Sequence, residues 1–291
     1  ETYANMAPNS IYQGKPTALS TMMNEGTMGM SITSPSGSIV VDSAASGSQM
    51  ATGQYSLSEA IGLDEKGRKV ETVLELAHRL GKSTGLVSDT RMTHATPASF
   101  AAHRYHRSLE NKIAEDELNA QVDVMLSGGL RYWIPESVNK KAELYKQFVQ
   151  KTGGTIKIKS KRKDERDLTA EAQKAGYHLA FNLDQLNAVK EGKVLGLFSY
   201  SGMMDGIQYS QTKDDAARTE PSLKEMTMKA LDLLSQDKDG FFLMVEGGRI
   251  DWAGHDNDAG TMLHEMLKFD DAIAAVHEWV KNRKDTLVVI T

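Results

Sequence analysis

Six short apolar runs, at 38–41, 85–87, 122–126, 195–198, 241–245 and 286–290, recur along the chain with longer amphipathic segments between them. Val70, Val73, Leu74, Ala77 and Leu80 mark one helical face, and Met262, Leu263, Met266, Leu267, Ile273, Val276 and Val280 mark another. Strand–helix alternation of this kind predicts an α/β fold: a three-layer sandwich in which helices flank a mostly parallel central sheet. With 291 residues and no low-complexity linker, one domain is expected, carrying a peripheral insertion around 130–210.

The run Phe241-Phe242-Leu243-Met244-Val245 reads as a strand buried on both faces, and it opens into Glu246, Asp251 and His255. Open parallel sheets bind ligands outside the carboxyl ends of their strands. Two carboxylates and an imidazole there supply the oxygen and nitrogen donors that Mg²⁺ and Zn²⁺ prefer. A formal charge of −5 argues against a general nucleic-acid binder, and no apolar stretch is long enough for a membrane span. Small-molecule ligands fit better. The absence of cysteine excludes disulfides and leaves the compartment open.

A second constellation runs from Ile39 to Gly53, where a β-branched segment gives way to small residues with good helix propensity. Ser43 then sits at a strand-to-helix junction, beside unpaired backbone N–H groups that could hold a phosphate. Equally, Asp42 or Ser43 could simply cap the helix. No Gly-x-Ser-x-Gly elbow surrounds Ser43, and no histidine base lies near it in sequence, so metal activation is the natural alternative.

The third constellation spans Arg91 to Arg107. Pro97 suits the first turn of a helix and makes Thr96 a plausible cap, and His94 taken alone reads as a loop histidine. His103 and Arg107 lie one turn apart if the helix continues, which would present a guanidinium whose planar fork matches phosphate oxygens. The cationic run from Lys157 to Arg166 reads as a solvated edge or loop.

Together these segments resemble the bacterial alkaline phosphatases. Asp42-Ser43-Ala44-Ala45-Ser46 with Ala51-Thr52-Gly53 is similar to that family's nucleophile motif, and Thr93-His94-Ala95-Thr96-Pro97-Ala98 to its magnesium-site motif. Glu246-Gly-Gly-Arg-Ile-Asp251 with His255 is similar to its metal-binding segment, and Asp123 to Gly129 to a family strand and turn. The resemblance implies hydrolysis of phosphate monoesters to an alcohol and inorganic phosphate, through a phosphoserine at a site with two Zn²⁺ and one Mg²⁺. Ser43 would be the nucleophile and a zinc ligand, Arg107 the clamp on phosphate oxygens, and Asp42 the residue that orients Arg107. Thr96 and Glu246 would bind Mg²⁺, and Asp251 and His255 would bind Zn²⁺. His94 and Trp252 would line the substrate site. The resemblance also implies a periplasmic or secreted homodimer.

Two departures qualify this expectation. The family's Gly-Asp-Gly-Met-Gly-like strand does not precede Glu1, and its Ala-Asp-His segment and later His do not follow Thr291, so missing termini are expected. Zinc normally takes about three or four protein donors, and fewer are present. Two alternatives share the fold: a phosphodiesterase or sulfatase-like hydrolase, and a non-catalytic phosphate- or metal-binding relative.

Overall fold

The computed structural model describes residues 16–291. Five parallel strands form its sheet: β1 (Ser83–Arg91), β2 (Val124–Gly128), β3 (His178–Ala180), β4 (Val194–Leu197) and β5 (Phe241–Glu246), in the order β3-β4-β2-β1-β5. The helices are α1 (Ala18–Glu25), α2 (Ser43–Thr52), α3 (Val73–Arg79), α4 (Ala95–Ala101), α5 (Glu110–Asn119), α6 (Ala142–Lys151), α7 (Leu168–Lys174), α8 (Leu183–Ala188), α9 (Gly206–Thr212), α10 (Leu223–Leu234), α11 (Arg249–His255) and α12 (Ala259–Val280).

Successive strand residues point to opposite faces, and the core divides accordingly. Leu86, Met125, Leu195, Phe242 and Met244 pack with Leu74, Phe100, Ala114 and Trp133 on one side. Val87, Val124, Leu126, Val194, Leu243 and Val245 pack with Met226, Ala230, Leu234 and Ala272 on the other. A sheet apolar on both faces needs two helical layers, which is the expected three-layer sandwich.

Four expected strands appear close to their predicted positions, and β3 escaped prediction because three residues carry too little periodicity. The runs at 38–41 and 286–290 are not strands: Ile39 is 93% exposed, Val40 79%, Leu287 87% and Val289 71%. An apolar run becomes a strand only when a neighbour satisfies its backbone groups, and neither run pairs with a strand among the described residues. β5 likewise differs from expectation. Among the described residues it pairs only with β1, and all six of its residues stay partly exposed, whereas β1 is buried through its middle seven. Residues 130–210 supply β3 and β4 to the sheet itself.

The cationic run at 157–166 is a loop with Lys157, Lys159, Lys161 and Lys163 exposed, as expected, and it departs from that reading at Arg162. The Arg162 side chain is fully buried, donating to Asp164, Glu115 and the carbonyls of Asn111 and Tyr132. Its fork satisfies several acceptors at once, which a lysine at the same place could not do.

Candidate active site

Parallel register fixes the first group. Ser88 lies opposite Glu246 where β1 and β5 end, and its hydroxyl donates to the Glu246 carboxylate at 2.6 Å. Thr90, two residues on and therefore on the same face, donates at 3.3 Å, and the Thr96 hydroxyl bonds the same carboxylate. Burial pushes the Glu246 carboxyl above its usual range and neighbouring Asp89 adds to this, against the three hydroxyls, which favour the charged form. The chain leaves room for the carboxylate at Gly248, where a Cβ would stand 2.7 Å from Glu246 Cδ and 2.8 Å from Oε2.

The second group forms where α2 begins. Asp42 caps the helix by accepting from the N–H groups of Ala44 at 2.9 Å and Ala45 at 3.3 Å, and it also accepts from the N–H of Glu59 and from Arg107 Nη1 at 3.1 Å. Capping and orientation of the guanidinium are thus one arrangement. Burial raises the Asp42 pKa, but the hydrogen bonds from Glu59, Ala44, Ala45 and Arg107 outweigh it and hold the carboxyl below its usual range. Ser43 follows as the first residue of α2, partly exposed.

Arg107 does not ride on a helix. α4 stops at Ala101 and its cap Ala102 is extended, so Arg107 arrives on the following loop, anchored by its N–H to the Glu59 carbonyl at 2.8 Å. His103 turns away and bridges the Gly62 carbonyl and Glu75. His94, rather than Thr96, occupies the cap position of α4, without a capping side-chain bond. Its Nε2 meets Arg107 Nη2 at 3.4 Å, and because arginine only donates, Nε2 accepts and the proton resides on Nδ1. Burial, and then the charges of Arg91 and Arg107, push its pKa down to about 3, so the ring is neutral at ordinary pH.

α2 and α4 pack closely at Gly47, where a Cβ would meet Ser99 Oγ at 3.0 Å and Thr96 Cα at 3.5 Å. The Trp252 ring stands edge-on to His94 with centroids 5.7 Å apart and has the guanidiniums of Arg91 and Arg249 at 5.5 and 5.3 Å. A cleft of about 300 Å³ opens beside Arg107, bounded by Glu59, Arg91, Thr93, His94, His106 and Glu110 among others.

Asp251 and His255 form a separate pair one turn apart on α11, 3.4 Å from each other, with side chains 51% and 80% exposed. Among the described residues no group of three or more His, Asp or Glu side chains converges to hold a metal. The donor chemistry nonetheless fits. Thr96 and Glu246 offer the oxygens that a hard cation takes, while Asp251 and His255 offer two of the mixed donors that zinc takes. Sequence reasoning missed Ser88, Thr90, Asp89 and Arg91, although hydroxyls alternating at the end of a buried strand are a usable signal.

The fold and the site together define an α/β sandwich with a composite polar site at the carboxyl ends of its strands. A sequence model of the alkaline phosphatase family matches residues 5–291, and the chain belongs to that family. It is similar to alkaline phosphatase 4 of Bacillus subtilis, with 39% identity over 258 residues covering 87% of this chain and 48% of that protein. It is also similar in structure to a cold-active alkaline phosphatase from the psychrophile Shewanella sp., with a TM-score of 0.74 and 32% identity over 98% of this chain and 62% of that one. A histidine-to-aspartate mutant of TAB5 alkaline phosphatase with Mg bound gives a TM-score of 0.74 at 25% identity, over 96% and 70%. The chain spans about half the length of the curated relatives it matches.

Proposed function

We propose that the whole protein hydrolyses phosphate monoesters through a phosphoserine at Ser43, releasing an alcohol and inorganic phosphate. The carrying observation is the Asp42 carboxylate, which caps the helix that begins at Ser43 and at the same time grips Arg107. A guanidinium fork is thereby held next to a hydroxyl at a helix N-terminus. An incoming dianion meets fixed donors at the place where charge must be bound, which is most of what a loose phosphoryl-transfer transition state asks of a protein.

In this reading Arg107 orients two non-bridging oxygens, Ser43 Oγ forms the bond to phosphorus and the ester oxygen departs, after which water releases the phosphate. Neutral His94 lines the cleft beside Arg107 without adding charge, and the Trp252 ring backs it edge-on. Thr96 and Glu246 would hold Mg²⁺, and Asp251 and His255 would hold a Zn²⁺, with Ser43 facing a second zinc. Bound metals would supply hydroxyl activation and neutralisation of the leaving oxygen. Family membership supports a periplasmic or secreted homodimer built on a single domain, and no helix among the described residues is long and apolar enough to cross a membrane.

The test compares p-nitrophenyl phosphate with its bis-ester and with p-nitrophenyl sulfate, using the full-length protein. Monoester turnover should dominate, and diester or sulfate preference sinks the proposal. Ser43→Ala should abolish acid-trapped phosphoprotein and cut turnover by about three orders of magnitude or more, in line with nucleophile removal elsewhere.

A further inference from the structure

Behind the site lies a buried charge cluster that none of the assigned roles uses. Asp89 at the end of β1, Glu265 and Lys268 on α12 and Arg249 at the start of α11 meet there, and the first three are 2%, 1% and 3% exposed. Lys268 Nζ is 3.1 Å from Asp89 Oδ2 and 2.5 Å from Glu265 Oε2, and Arg249 Nε donates to Glu265 Oε1 at 3.0 Å. Two anions and two cations balance. Charges this deep are tolerated only when so paired.

The remaining Asp89 oxygen, Oδ1, accepts from the backbone N–H of Arg249 at 3.1 Å. Arg249 is the first residue of α11, whose own cap position is Gly248 and offers no side chain. A larger residue there is barred, since its Cβ would run into the Glu246 carboxylate and the Thr90 methyl. The cap of α11 has therefore been transferred from a neighbour in sequence to a strand end 160 residues away. α11 carries Asp251, Trp252 and His255.

We propose that Asp89 is a positioning residue: anchored by Lys268, it holds the first turn of α11 and so sets where Asp251 and His255 present their donors. This rests on the reading of those two residues as zinc ligands. An aspartate that caps a helix orders its first turn, and groups that orient metal ligands typically change affinity by about tenfold to a hundredfold when lost.

The test uses full-length protein and two double variants that both remove the buried charge pair. Asp89→Asn with Lys268→Met keeps a carbonyl oxygen that can accept from Arg249, whereas Asp89→Leu with Lys268→Met keeps none. Zn²⁺ affinity is measured by competition with a chromophoric chelator, without substrate, alongside Asp251→Ala, and amide exchange at 249–252 is followed in metal-free protein. The expectation is a tenfold or greater loss of affinity with faster amide exchange in the leucine variant, and near-native values for both in the asparagine variant. Weak binding in Asp251→Ala with equal, tight binding in both double variants overturns the positioning role and leaves the ligand reading intact. Unchanged affinity in Asp251→Ala removes the ligand reading and the proposal with it. Equal melting temperatures with unequal zinc affinities set positioning apart from a merely structural contribution.

Discussion

Individual residues here often serve two purposes, and Asp42 is the clearest case. A helix cap needs only an oxygen over the first N–H groups, and an ion pair needs only a carboxylate near a guanidinium. Asp42 meets both with different lone pairs and so locks Arg107 to the start of α2. Gly248 shows the converse, a residue defined by what it leaves out. Gly248→Ala places a methyl 2.7 Å from the Glu246 carboxyl carbon and 2.6 Å from the Thr90 methyl, contacts that force the carboxylate off the Thr96 and Ser88 hydroxyls. We expect Mg²⁺ to bind about tenfold or more weakly, the scale of a displaced ligand-orienting contact, as read by Mg²⁺ titration of metal-depleted protein. The sequence marked Glu246, Thr96 and Asp42 as candidates, since donors at strand ends and helix starts are local features. It could not reveal that Ser88 faces Glu246 from 158 residues away, because that pairing is a matter of strand register.

Among the elements, helix signals are the most local, since they lie within a few residues of each other. Thr72 and Glu75 form a capping box at the start of α3, each side chain satisfying the other's backbone N–H. The Thr72 hydroxyl also donates to the Phe100 carbonyl at 2.6 Å, which ties α3 to α4. Thr72→Ala therefore loses a cap and a tertiary bond together. A destabilisation of about 2 kcal/mol, the upper end for cap removal, is expected from the shift in urea midpoint at unchanged slope. Strands depend on partners far away in the chain. The runs at 38–41 and 286–290 have the composition of β-strands yet join no strand ladder among the described residues and leave Ile39, Val40, Leu287 and Val289 exposed, because composition supplies propensity and only a partner supplies the ladder. α4 fell short of its predicted length for a similar reason: Arg104 turns out of the helix to exchange backbone hydrogen bonds with Ile61.

At the scale of the whole molecule, the cluster behind the site links β1, α11, α12 and the loop before α10. Glu220 in that loop adds pH dependence. Burial pushes its carboxyl up to about 7, against the Met204 N–H and the charges of Lys268, Arg249 and Arg218, which lower it. In the unfolded chain this group ionises near 4.5, so between about pH 4.5 and 7 the folded state holds the extra proton. Its contribution to stability is then full below pH 4.5 and is lost as pH rises to about 7, by up to about 3 kcal/mol at about 1.4 kcal/mol per unit. Glu220→Gln keeps an acceptor for Met204, and it should flatten this dependence and make the protein more stable than wild type at pH 8, as measured by thermal unfolding across pH 5 to 8. Short-range patterning and residue type suffice for the α/β class, four of the five strands, the helices that start at Ser43, Val73, Ala95 and Ala259, and the candidacy of Asp42, Ser43, Thr96, Glu246, Asp251 and His255. Long-range packing settled which runs became strands, that Arg107 reaches Asp42 from a loop, and that Asp89, Arg249, Glu265 and Lys268 share one buried site. Those outcomes rest on charges and backbone groups far apart in the chain finding partners away from water, and no local pattern encodes such a meeting.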